Sequence, residues 1–129
     1  MKNKYILKYS LVLVAKAKRK ILSEDSVVAT IEEEVYNIAK SNNVEILDFG
    51  VGADHIHLQF KATPYIRLDS FIKDLSARTN RVVKSKNKTE FKKYYKMNSI
   101  WAKNYCISSA QGIGLDVIKE HLAMEDFDK

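Results

Sequence analysis

Apolar and polar residues alternate from Tyr5 to Ala15, so that Tyr5, Leu7, Tyr9, Leu11, Leu13 and Ala15 share one face and Ile6, Lys8, Ser10, Val12 and Val14 the other. A period of two predicts a β-strand with one apolar and one mixed face. The period then lengthens. Val27, Val28, Ile31, Val35, Ile38 and Ala39 recur at three- and four-residue spacing, the stripe of an amphipathic helix, and Ser23-Glu24-Asp25-Ser26 ahead of it offers N-cap side chains. Glu32, Glu33 and Glu34 fall largely off that stripe, which predicts a solvated face. Strand character returns over residues 44–51. After the tight Gly50-Val51-Gly52-Ala53 link, Ile56, Leu58 and Phe60 alternate with His55, His57 and Gln59. Beyond Pro64, the stripe Leu68, Phe71, Ile72, Leu75, Thr79 and Val82 predicts a second helix. Its tail, from Arg78 and Arg81 through Lys84, Lys86, Lys88, Lys92, Lys93 and Lys96, is the most basic stretch of the chain. A last strand is expected around Ser99 to Ala110. Gly112 and Gly114 then lead into a final helix over about 115–126.

The order β-α-β-β-α-β-α predicts an α+β fold: a ferredoxin-like, RRM-like βαββαβ antiparallel sheet with an additional C-terminal helix, forming one domain over residues 1–129. Such a sheet covers one face with helices and leaves the other open. His55, His57 and Gln59 belong to the open face, so chemistry is expected there.

The composition fits a folded core. Of 129 residues, 46% are hydrophobic and 29% charged, with one proline and four glycines, which excludes disordered and fibrous classes. The lone Cys106 cannot form an internal disulfide and points to a reducing, cytoplasmic setting. No apolar run approaches the roughly 18 residues of a membrane span. Lys8 and Lys16 bracket the run 9–15 so tightly that it reads as a strand rather than a secretion signal. A net charge of +6, from 22 Lys and Arg against 16 Asp and Glu, favours polyanionic partners. Lys16, Lys18, Arg19, Arg78, Arg81 and Lys84 are the residues able to track a phosphate backbone, although each alone passes for a solubilising charge.

Asp54-His55-Ile56-His57-Leu58 carries the most chemical information. Two histidines at i and i+2 on a strand present two imidazoles on one side, close enough to share a metal ion. The same pattern also occurs in surface or hydrogen-bonded histidines. The surrounding segments narrow the choice. Ser10-Leu-Val-Leu-Val-Ala-Lys16-Ala-Lys18-Arg19-Lys-Ile-Leu22, then Asp54-His-Ile-His57, then Leu75-Ser-Ala-Arg78-Thr-Asn-Arg81, then Ser99-Ile-Trp101, Tyr105 and Ser109 resemble, in order and spacing, the single-tyrosine HUH transposases of small insertion sequences and their REP-associated relatives. The resemblance runs from about Tyr5 to Glu125.

The resemblance implies DNA transposition by metal-assisted strand cleavage and transfer. Two HUH histidines and a polar residue of the C-terminal helix hold magnesium or manganese, and a tyrosine of that helix attacks the scissile phosphate. It also implies homodimers that swap C-terminal helices and recognise hairpins in single-stranded DNA. His55 and His57 match the metal histidines. Counting on from Trp101 through Tyr105 and Ser109, the tyrosine position falls on His121 and the glutamine position on Glu125. These lie at i and i+4 on one helix face. His55, His57 and Glu125, with or without His121, would form a site that also suits zinc or another transition metal. Ser76 stands where the family tends to carry a lysine.

Two functions follow. One is a metal-dependent strand transferase with an altered nucleophile, attack by His121 being its extreme form. The other is a cleavage-defective descendant that regulates DNA or RNA by hairpin binding. Trp101 and Tyr105 fit core or dimer-face aromatics more readily than base-stacking platforms.

Overall fold

A computed structural model describes residues 7–94 and 99–109. The strands are β1 (Leu7–Ala15), β2 (Glu45–Val51), β3 (His55–Ala62) and β4 (Trp101–Ser109). The helices are α1 (Asp25–Ser41), α2 (Leu68–Lys86) and α3 (Lys88–Tyr94), and two 3-10 turns, Lys16–Lys18 and Ile21–Ser23, join β1 to α1. The sheet order is β2-β3-β1-β4 with every neighbouring pair antiparallel. First and third strands in the middle are the signature of the split βαβ arrangement that the element order predicts. The expected helix over 115–126, with Gly112 and Gly114 before it, lies outside the described residues. Among those described, no helix is long and apolar enough to cross a membrane.

One layer of side chains joins the sheet to α1 and α2. Leu11, Leu13 and Ala15 of β1 and Ile56, Leu58, Phe60 and Ala62 of β3 meet Val27, Ile31, Val35 and Ile38 of α1 and Phe71, Ile72, Leu75 and Val83 of α2, all buried. Phe60 lies at the centre, its ring 5.4 Å from that of Tyr9 and 5.2 Å, edge-on, from that of Phe71. Truncating such a ring to alanine costs about 3–5 kcal/mol, because both transfer energy and cavity are lost. The periodicities expected for β1, α1, β3 and α2 therefore appear as one continuous core.

Five local expectations are revised. The N-cap of α1 is Glu24, which makes no side-chain cap. Its carboxylate instead accepts from Lys93 Nζ (3.0 Å) and Tyr94 Oη (3.1 Å), while Ser26 Oγ donates to Glu90 Oε2 (3.0 Å). These bonds dock α3, a helix hidden in the basic tail, against the start of α1. Its boundary is Asn87, a buried residue whose N–H closes α2 on Val83 O (2.8 Å). Glu34 is not solvated. It is 9% exposed and meets Arg78 Nη2 of α2 at 3.4 Å. Val83 rather than Val82 completes the α2 stripe, at i+4 from Thr79. Finally, the mixed face of β1 is buried too: Ser10, Val12 and Val14 are at most 4% exposed, and the two valines pack with Ala102 and Cys106.

β4 is tied to α2 by side chains before it pairs with β1. Trp101 Nε1–H donates to Thr79 Oγ1 at 2.8 Å, and Ile100 N–H to Asn80 Oδ1 at 2.9 Å. Trp101 is thus a core residue, whereas Tyr105 is 41% exposed. The turn after β1 is anchored by Lys16 N–H to Ile100 O (2.6 Å). Ala17 (φ 59°) and Lys18 (φ 51°) are left-handed there, which costs about 1–2 kcal/mol per residue.

Candidate functional site

The face of the sheet turned away from α1 and α2 is built in rows set by strand register. His57 of β3 stands between Gly50 of β2 and Val12 of β1, and Cys106 of β4 follows Val12. One step toward the hairpin, His55 stands beside Val14. Alternation along β3 places both imidazoles on this face while Ile56, Leu58 and Phe60 enter the core, as the sequence predicts. Their side chains are 17% and 21% exposed, sheltered but accessible.

Each ring lies over a glycine. A Cβ at Gly50 would sit 1.9 Å from His57 Nε2, and one at Gly52 would sit 2.3 Å from His55 Cε1. Glycine within a strand commonly marks such a close approach. Sequence reading treats Gly50 and Gly52 as a tight link only. Their i, i+2 spacing, matching that of the histidines across the hairpin, is the signal that finds them.

Carboxylates stand beside the δ nitrogens. His55 Nδ1 is 3.0 Å from Asp54 Oδ1, and Asp54 Oδ2 is 3.6 Å from Lys20 Nζ. His57 Nδ1 is 4.0 Å from Asp48 Oδ2, too far for a direct hydrogen bond. Burial pushes the Asp54 carboxyl up, but the hydrogen bond from His55 and the charges of Lys20 and His55 outweigh it and hold the group below its ordinary value. Two imidazole donors with a carboxylate behind one of them fit half of a metal site. Among the described residues, no group of three or more His, Cys, Asp or Glu could hold an ion. His121 and Glu125 lie outside the described residues.

The basic residues divide. Lys16 and Lys84 come together in a groove of about 1030 Å³ between α2 and the edge strand β4, joined by Lys73 and Lys103, with Trp101 and Tyr105 also in its wall. Lys73 and Lys103 stand apart from the basic runs of the sequence, and only the α2–β4 packing gathers them. Ser76 lines the same groove. So does Ala102, which packs beside Val12 and Val14, so the groove reaches the edge of the histidine face. Lys18 and Arg19 are exposed in the left-handed turn, and Arg81 is exposed on α2. Arg78 is drawn to Glu34 between the two helices.

The sequence matches the family described as "Transposase IS200 like" over residues 3–124. The chain belongs to this transposase family. No curated protein matches it. Among solved structures it is similar to a candidate transposase from Deinococcus radiodurans (23% identity, 95% of this chain and 96% of that one, TM-score 0.79). It is also similar to a REP-associated tyrosine transposase bound to a REP hairpin (11% identity, 94% of this chain and 66% of that one, TM-score 0.56). At these identities the likenesses show the fold.

None of the transposase's described tyrosines joins the histidines. Tyr9 packs against the helix-side core, and Tyr105, opposite Leu13, shares that side. Tyr36 is on α1, Tyr94 is bonded to Glu24, and Tyr65 follows the far end of β3.

Proposed function

We propose that this transposase-family chain binds single-stranded DNA hairpins of the kind found at insertion-sequence ends, and that His55 and His57 hold a divalent cation for strand cleavage and transfer. The reading rests on one observation above all: two imidazoles seated on Gly50 and Gly52, on the sheet face away from the helices, next to the basic turn that follows β1. When bound, magnesium or manganese supplies Lewis-acid polarisation of a phosphate oxygen. The chain's own residues do the rest: imidazoles fix the site, and Lys16, Lys73, Lys84 and Lys103 hold the backbone along the groove. Lys18, Arg19 and Arg81 extend that surface. Glu125 as a third ligand, a homodimer completed by exchanged C-terminal helices, and a cytoplasmic setting belong to the same proposal.

A second reading, a hairpin-binding regulator without cleavage, is favoured by the tyrosine placement. None of the described tyrosines lies beside the histidines, and the resemblance puts His121 at the nucleophile position. Labelled hairpin oligonucleotides separate the two. The first reading expects hairpin affinity above that for an unstructured strand of the same composition, with a nick or covalent adduct that requires manganese or magnesium. Four lysine–phosphate contacts would give a log–log salt slope of about −3. Hairpin binding without any nick or adduct across metals establishes the second reading. Equal affinity for both oligonucleotides refutes both.

A further inference from the structure

We propose that Asp54 is a positioning residue: its carboxylate selects the tautomer of His55 and fixes the ring so that Nε2 is the metal donor. The inference rests on the metal-holding role proposed for His55, and it names the residue that prepares the ligand. An ionised carboxylate can only accept hydrogen bonds. With Asp54 Oδ1 at 3.0 Å, His55 Nδ1 is therefore the nitrogen that carries the proton, and the neutral ring keeps its lone pair on Nε2. Carboxylate–histidine pairs behind metals work in this way, and losing the carboxylate usually weakens metal binding by about 10–100-fold.

The turn holds Asp54 rigidly enough for the task. Its C=O accepts from Ala15 N–H at 2.7 Å, the neighbouring Ala53 C=O accepts from Leu22 N–H at 3.1 Å, and Gly52 N–H donates to His55 C=O at 2.8 Å. Bonds from β1 and from the Ile21–Ser23 turn, with one inside the hairpin itself, thus pin residues 52–55. With the backbone fixed, one carboxylate oxygen meets His55 while the other faces Lys20 Nζ at 3.6 Å. The ring is confined from below as well, since Gly52 leaves room for it and a Cβ there would not. Carboxylate, glycine and backbone therefore leave the imidazole one seating.

The test uses the full chain and compares wild type with Asp54→Ala and Asp54→Asn. Asparagine can still accept from Nδ1–H through its amide oxygen. Nitrogen-15 NMR of the neutral His55 ring without metal reads the tautomer, and manganese titration followed by electron paramagnetic resonance reads affinity. The proposal expects an Nδ1–H ring in wild type and Asp54→Asn, a mixed ring in Asp54→Ala, and manganese affinity about 10–100-fold lower in Asp54→Ala than in wild type. An Nε2–H ring in wild type, or Asp54→Ala with unchanged tautomer and affinity, overturns it. Should the tautomer respond as expected while wild type itself binds no manganese, the positioning of His55 stands and the metal-holding role fails. Thermal melts of each variant identify any loss of fold, and the wild-type reading does not depend on them: an Nε2–H ring there overturns the proposal whatever the variants do.

Discussion

Replacing Gly50 by alanine should damage the candidate metal centre without damaging the fold. The new methyl would lie 1.9 Å from His57 Nε2, whereas ordinary contacts lie at about 3.5–4.0 Å, so the ring must retreat by about 1.6–2.1 Å. Metal–ligand distances tolerate about 0.2 Å. The displaced imidazole can no longer share an ion with His55, and manganese affinity should fall by about 10–100-fold. Stability should move the other way. His57 is a side chain that can swing clear, and alanine in a strand is favoured over glycine by about 0.5–1 kcal/mol. The assay pairs manganese titration with urea denaturation of wild type, Gly50→Ala and the control Val51→Ala, whose site faces the other side of β2. A Gly50→Ala protein with wild-type manganese affinity would refute the reasoning. So would an unfolded one, because the backbone would then need glycine for its own sake.

Other outcomes test the frame and the groove. Trp101→Phe removes the indole donor to Thr79 from a buried site and should cost about 1–3 kcal/mol in chemical denaturation; an unchanged midpoint would contradict the tie between β4 and α2. Arg78→Ala leaves Glu34 nearly buried without its cation and should lower the melting temperature. Its hairpin affinity should change less than that of Lys84→Ala, which should also reduce the salt slope by about 1. Hydrogen bonds from Lys93 and Tyr94 hold the Glu24 carboxyl below its ordinary value, and the Glu24 hydrogen bond holds Lys93 above its own. That tether stabilises the fold above the ordinary glutamate pKa. It is lost as pH falls through the lowered Glu24 value, and at the alkaline end as pH rises through the raised Lys93 value. Melts of wild type and Glu24→Gln should therefore converge in acid; a gap that stays constant there would contradict the assignment.

The parts of the molecule legible in sequence are those governed by local period. Alternation along β3 assigns each residue from His55 to Phe60 to its face, because a side chain on a strand has only two directions. Less was legible where a distant partner decides. Glu34 sits three residues after Ile31 and four before Ile38, at the border of the stripe, and its burial depends on Arg78 in another helix. Val82 and Val83 both suit helical spacing, and the way α2 packs on the core selects Val83. The lysine-rich run from Lys84 masks the stop at Asn87 and the single buried anchor of α3, Phe91. For the site itself the histidines were legible and their seats were not. Gly50 falls opposite His57 only once the hairpin register is known, and that register shifts between Ile46 and Asp48. The groove lysines come from the turn after β1, from α2 and from β4, and share no sequence pattern at all.

Manganese titration of the uniformly nitrogen-15-labelled full chain tests the central claim most directly. Paramagnetic broadening should begin at the amides of Gly50, Gly52, His55 and His57, and the double variant His55→Ala, His57→Ala should abolish it. Broadening that starts at acidic surface residues elsewhere, or that survives in the double variant, would contradict a metal centre on the histidine face of the sheet.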